Sequence, residues 1–298
     1  MTRIVINWHL TEVCNYRCQF CFAHWQRDAA SEVWRDPRSM RAMITQLAQF
    51  ARCDNPRRGG QVTGRPRLSP VGGEPTLWPG LLAGVVQAAQ QAGFDIGLIS
   101  NASRPHVLVN LSPRVSILGI SVDSAKPETN RRIGRQDKHG AQIGPDALMR
   151  LVHDLRQANP RLVIKINTVV NAANHDQDFA PLLPMLRPDR WKVMRVLRSL
   201  TDRLAVSDAQ FAGLVDRHRA YAPILSLEDN DVMVRSYVMV DPHGRFFQNR
   251  AGARGYDYSP TILDVGADVA FARIGFEVDR FAVRYLPVSW PGEAAKAP

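Results

Sequence analysis

Ile4-Val5-Ile6-Asn7-Trp8-His9-Leu10-Thr11-Glu12-Val13-Cys14-Asn15-Tyr16-Arg17-Cys18-Gln19-Phe20-Cys21-Phe22 reads as a strand that runs straight into a cysteine loop. The apolar, β-branched opening predicts a buried strand, and the cysteines that follow are spaced C-x3-C-x2-C. A short loop leaving a strand end can wrap three thiolates around one metal centre. Soft thiolates suit an iron–sulfur cluster, and a cubane [4Fe-4S] with three protein ligands keeps one iron open for a small molecule. Zinc is the alternative, with His24 completing a Cys3His set beside Cys14, Cys18 and Cys21. Structural zinc sites usually join two ligand pairs across a longer loop, so the compact spacing favours the cluster. The spacings are too short for ordinary disulfides, and no secretory signal is expected ahead of the first strand.

Working outward, strand-like runs recur at 3–9, 66–71, 95–100, 116–121, 162–169 and 191–197, with helical patterns near 38–53, 78–92, 145–158 and 178–187. This alternation predicts an α/β fold with a parallel sheet and helices outside it. Six such units make a partial (β/α)6 barrel, whose chemistry belongs at the C-terminal ends of the strands. Residues 1–200 are expected to form that barrel. Residues 201–298 form a C-terminal extension that closes its open side and contributes to the substrate pocket. Within the extension a helix is predicted near 207–220, then a strand–turn–strand in which Asp241-Pro242-His243-Gly244 links 234–240 to 245–248.

Composition narrows the classes. With 298 residues, 45% of them hydrophobic, a substantial core is available, and no apolar run is long enough to span a membrane, so a cytoplasmic protein is expected. The formal charge of +10 invites polyanions. Its basic residues are scattered in pairs such as Arg57-Arg58 and Arg131-Arg132, which suits a small polyanion in a positive cavity better than a stable nucleic-acid complex. Cys53, alone at the end of a predicted helix, reads as a small core or capping residue.

Other strand ends carry polar groups. Gly72-Gly73-Glu74-Pro75 lets backbone approach a ligand and offers a carboxylate to an ammonium; Asn101 and Ser121 end two further strands. Downstream, Arg135 offers a fork for a carboxylate. Lys165 and Asn167 are two apart on one strand and share a face, as do Arg190 and Lys192 on the next. Inward cations on adjacent strands make a phosphate site; turned outward they are merely solvated.

The cysteine spacing, with Phe20 just before the third cysteine, resembles the cluster motif of the radical S-adenosylmethionine (SAM) superfamily, and Gly73-Glu74 resembles its SAM-amine motif. Asn7-Trp8-His9, Lys165-Ile166-Asn167, Arg190-Trp191-Lys192-Val193 and Ile262-Leu263-Asp264-Val265-Gly266 together resemble the viperin family, prokaryotic members above all, from about Ile4 to Arg284. That resemblance implies a nucleotide dehydratase. It would convert CTP, UTP or GTP to the 3'-deoxy-3',4'-didehydro nucleotide through 5'-deoxyadenosyl radical abstraction of the C4' hydrogen, in antiviral defence against phage. It implies cluster ligation by Cys14, Cys18 and Cys21. It places Phe20, Gly73, Glu74, Asn101, Ser121 and Arg135 near SAM, and Asn7, Arg67, Lys165, Asn167, Arg190, Lys192, Tyr237 and Arg284 around the substrate, with Tyr237 one candidate proton donor. A reductase, flavodoxin or ferredoxin is the implied electron donor.

Departures from the family pattern are Arg67, where relatives commonly carry lysine, and Val71 in place of a serine. The amphipathic N-terminal helix that anchors animal viperins is not seen in the sequence, so their membrane location does not transfer. Alternative readings are another radical SAM activity, such as a nucleotide cyclase or a peptide-modifying enzyme, and a non-enzymatic zinc or nucleic-acid-binding module.

Overall fold

A computed structural model describes residues 3–21, 23, 31–53, 64–197, 202–250 and 255–283. In chain order its elements are β1 (Val5–His9), α1 (Pro37–Arg52), β2 (Arg67–Val71), α2 (Pro79–Gln91), β3 (Asp95–Ser100), α3 (Pro105–Leu111), β4 (Ile117–Ser121), α4 (Pro127–Arg132), α5 (Pro145–Ala158), β5 (Val163–Val170), α6 (Leu183–Leu186), β6 (Arg190–Arg195), α7 (Asp208–Arg217), β7 (Leu225–Glu228), α8 (Asn230–Met233), β8 (Val238–Val240), β9 (Arg245–Asn249), β10 (Tyr256–Thr261), α9 (Ile262–Val265), α10 (Ala267–Phe271) and α11 (Val278–Val283). The strands form one open sheet in the order β10-β9-β8-β1-β2-β3-β4-β5-β6-β7. The six expected strands are mutually parallel neighbours. Two further parallel strands flank them, β8 beside β1 and β7 beside β6. The stretch after residue 200 therefore supplies strands at both edges of the sheet.

Alternation along each strand sorts side chains between helix layer and interior. In β1, Ile6 and Trp8 are fully buried against the helices while Asn7 faces the other way. In β5 and β6 the buried series Ile164, Ile166, Trp191 and Val193 leaves Lys165, Asn167 and Lys192 on the concave side. Helix α1 shows why the outer layer adheres. Asp36 caps it by accepting from the Ser39 amide at 2.7 Å, Pro37 opens it, and Met40, Met43, Ile44, Leu47 and Phe50 form one buried stripe.

Two expectations need correction. The helix near 178–187 is reduced to the single turn α6, because Pro181 and Pro184 interrupt the pattern and Arg187 takes a left-handed conformation at φ 44°. The strand expected over 234–240 begins only at Val238, since Arg235 adopts φ 55° after α8. Of the two roles expected for Cys53, the structure selects capping: it is the exposed C-cap of α1, its amide donating to the Gln49 carbonyl.

Candidate active site

The cysteine loop leaves the C-terminal end of β1 and is pinned at three places. At its start, the buried Glu32 carboxylate accepts from Thr11 Oγ1 at 2.6 Å and from the Glu12 amide at 3.1 Å, while Trp34 and Arg35 hold its second oxygen. In the middle, the Glu74 amide donates to the Val13 carbonyl at 2.9 Å. Gly73 adopts φ 44° there, and a Cβ would sit 2.3 Å from that carbonyl oxygen, so only glycine fits. At its end, Arg17 and Gln19 amides donate to the carbonyls of Gly134 and Ile133 at 3.0 and 2.9 Å.

Cys14, Cys18 and Cys21 are half-buried and none forms a disulfide. Burial pushes the Cys14 and Cys18 thiols up to about 12 and raises Cys21 as well. A metal centre binding there must displace those protons. Polar neighbours already attend the sulfurs: Asn101 Nδ2 is 3.7 Å from Cys14, the Tyr16 amide 3.3 Å from Cys14, and Arg135 Nη1 3.9 Å from Cys18. Among the described residues no three Cys, His, Asp or Glu side chains converge closely enough for a single ion, and His24 lies outside those residues. Three thiols spread along one loop, ringed by donors that would tune sulfur charge, are a donor set fitting an iron–sulfur cluster.

Beside the loop lie two buried carboxylates. Glu74 is fully enclosed: one oxygen accepts from the Thr76 amide and hydroxyl and from Ser100 Oγ, the other from the Asn101 amide at 2.7 Å. Burial raises its affinity for a proton even so. Glu74 thereby ties the end of β2 to the end of β3 and sets Asn101 beside Cys14. Asp123, two residues beyond β4, pairs with Arg135 at 2.7 Å, and Arg135 also donates to the Ser121 carbonyl at 2.5 Å. Phe20 is partly buried against the core.

The concave face carries a row of polar side chains in register. Ser121 of β4 pairs with Asn167 of β5, Asn167 with Lys192 of β6, and Lys192 with Ser226 of β7. The next row holds Gly119, Lys165 and Arg190. Gly119 makes the crossing possible: a Cβ there would lie 2.8 Å from Asn167 Nδ2 and 3.3 Å from Lys165 Cε. Gly97 does the same for Ser69 and Arg67 on β2. Lys192 Nζ sits 2.7 Å from Glu228 Oε1 and 3.0 Å from the Tyr237 hydroxyl, which itself donates to Glu228 Oε2. The structure thus brings Asn167, Lys165, Lys192 and Tyr237 together. It puts Arg190 at an exposed strand start, and Arg67 at the first residue of β2, paired with Asp95 at 3.0 Å. Asn7 lies half-buried between Ser69 and Met239. Arg284 lies outside the described residues. Glu32, Asp123, Glu228, Gly97 and Gly119 complete the site, and no sequence motif marks them. Glu228 stood in a short polar run with no periodicity to mark it, and a lone carboxylate is ordinarily solvated.

A parallel sheet whose first strand feeds this cysteine loop defines a radical SAM enzyme, and residues 8–186 match the Radical SAM superfamily. The fold is shared with solved structures described as native anSMEcpe with bound AdoMet (TM-score 0.64, 13% identity, 95% of this chain and 84% of that one) and Streptococcus suis SuiB bound to S-adenosylmethionine (0.59, 14%, 82% and 60%). Proteins named S-adenosylmethionine-dependent nucleotide dehydratase are similar over nearly the whole chain. That of Psychrobacter lutiphocae is 36% identical, covering 96% of each chain; that of Pseudoalteromonas ulvae is 33% identical, covering 97% and 94%. RSAD2 of Danio rerio is 28% identical over 96% of this chain and 77% of its own. The chain belongs to the family of S-adenosylmethionine-dependent nucleotide dehydratases, the viperin family. Its cofactors are a [4Fe-4S] cluster and SAM.

Proposed function

We propose that this enzyme dehydrates a ribonucleoside triphosphate, CTP, UTP or GTP, to its 3'-deoxy-3',4'-didehydro form by removing the C4' hydrogen, and that it does so in the cytoplasm as a defence against phage. The observation that carries this is the inward row Ser121, Asn167, Lys192, which begins at the cysteine end of the sheet and continues into Lys165 and Tyr237. When bound, the reduced cluster and SAM supply the radical chemistry. Cys14, Cys18 and Cys21 hold the cluster, and Phe20, Gly73, Glu74, Asn101, Ser121 and Arg135 border SAM.

The chain's own contribution is placement. Lys165, Lys192, Arg67 and Arg190, with Arg284, meet the phosphates; Asn7 and Asn167 orient the sugar. Cations fixed on rigid strands hold a polyphosphate in one register, so that the ribose lies toward the cysteine loop. Tyr237, whose hydroxyl lies between an ammonium and a carboxylate, is positioned to hold a proton for the departing 3'-oxygen. A reductase, flavodoxin or ferredoxin supplies electrons. A cleft of about 670 Å³ beside Cys14, rimmed by exposed Arg17, Arg104 and Lys138, offers an acidic protein of that kind an approach.

Reconstituted, reduced protein incubated with SAM and each triphosphate tests the reading. A product lighter than its substrate by one water, together with 5'-deoxyadenosine, is expected for at least one nucleotide. If 5'-deoxyadenosine accumulates equally slowly with and without every nucleotide, the substrate assignment fails.

A further inference from the structure

Glu228 is a carboxylate where a polyphosphate is proposed to bind, and like charges placed together there repel. It ends β7 at 2% exposure. Its Oε1 lies 2.7 Å from Lys192 Nζ on β6, and its Oε2 accepts from Tyr237, which precedes β8. Its in-register neighbour on β6 is the uncharged Met194. The adjoining Asp229 turns instead to Arg195, at 3.3 Å. The next cations along the same concave face are Lys165 and Arg190, one register row away from Lys192. Lys192 is thus a neutralised cation before any nucleotide arrives, and the triphosphate must compete with Glu228 for it.

Resting on the nucleotide reading above, we propose that Glu228 is the resident counter-ion of Lys192 in the substrate site, exchanged for phosphate when the nucleotide binds. Until then it holds Lys192 and Tyr237 in place within the barrel, so the pocket is built before substrate enters. On binding, Lys192 keeps its proton and turns its ammonium to a phosphate oxygen. The Glu228 carboxylate, deprived of that ammonium and brought near a polyanion at a buried position, takes one proton from the buffer acid, which is left as its conjugate base. No bond other than that O–H is made, and the proton comes to rest beside the Tyr237 hydroxyl. Glu228 is a positioning residue in this scheme, acting through Lys192 and Tyr237. The exchange also gives selectivity, because a ligand without a polyphosphate has nothing to offer Lys192 in place of Glu228.

Titration calorimetry on the cluster-loaded enzyme without reductant, using CTP, UTP and GTP in two buffers of different ionisation enthalpy, reads both affinity and proton uptake. The wild type should take up a proton on binding, and adenosine or cytidine without phosphates should not produce that uptake. Glu228→Gln should abolish the uptake and tighten triphosphate binding by about tenfold, since the competing charge is gone. Glu228→Asp should keep the uptake. In turnover, Glu228→Gln should lower both KM and kcat, a split that simple loss of fold would not give. Equal affinity and equal uptake in wild type and Glu228→Gln overturn the exchange while leaving the nucleotide reading standing. If no triphosphate binds either protein, the nucleotide reading falls and the exchange falls with it. Should Glu228→Gln not fold, absence of proton uptake by the wild type near neutral pH is itself enough to overturn it.

Discussion

His9, the last residue of β1, is buried edge-on against Phe247 at 5.2 Å, and burial lowers its imidazole pKa to about 3. An unfolded chain protonates histidine near 6.5, so the unfolded state binds the extra proton first as pH falls. The contribution is fully present above pH 6.5 and is lost progressively toward pH 3, amounting to about 2 kcal/mol already lost at pH 5. Urea unfolding of the wild type and of His9→Gln at pH 7 and pH 5 checks this. The wild type should lose more stability than the variant over that interval, and equal losses would place the acid sensitivity elsewhere. The same residue shows what sequence could tell at this scale. Cysteines at fixed spacing announce their chemistry by identity, and Lys165 and Asn167 announce a shared face by parity. Glu228 and Asp123 acquire meaning only from the Lys192 and Arg135 that the fold sets 2.7 Å from each of them.

At the scale of elements, the cysteine loop depends on a glycine that belongs to another loop. Gly134 follows α4 with φ 76°, and a Cβ there would lie 2.1 Å from the Arg17 carbonyl oxygen. Gly134→Ala should cost about 1 kcal/mol or more for the left-handed conformation alone, and the contact should displace the loop between Cys14 and Cys18. Gly140 is a matched control, with φ 81° but nothing nearer its Cβ than Gln136 at 4.0 Å. Iron content and visible absorption after reconstitution should fall for Gly134→Ala and stay at the wild-type level for Gly140→Ala; parallel losses would show that backbone strain, not the staple, is responsible. Sequence pattern found the long β-branched strands because their outer faces are continuously apolar. It passed over β7, whose Leu-Ser-Leu-Glu is too short to show a period, and β10, where Pro260 argues against a strand that the sheet edge nonetheless tolerates.

For the whole molecule the question is whether residues up to about 197 fold without the remainder. The geometry argues against it. Phe50 of α1 packs on Phe246 and Phe271 at 5.3 and 5.0 Å, and Phe271 continues through Phe276 to Phe281. Removing those partners takes away several buried aromatics, each worth about 3–5 kcal/mol, against a total stability of about 5–15 kcal/mol for an ordinary domain. Truncation also strips β8 from β1 and β7 from β6, leaving both edges of the parallel sheet unpaired. It removes Glu228 and Tyr237, the side-chain partners of Lys192, as well. A fragment ending at Leu197 should therefore aggregate, bind a hydrophobic dye and show no sharp thermal transition, whereas the full chain unfolds cooperatively. A single sharp transition in the fragment would mean that the six-stranded barrel is self-sufficient. The strands after residue 200 would then serve the substrate site alone, with no part in the stability of the sheet they border.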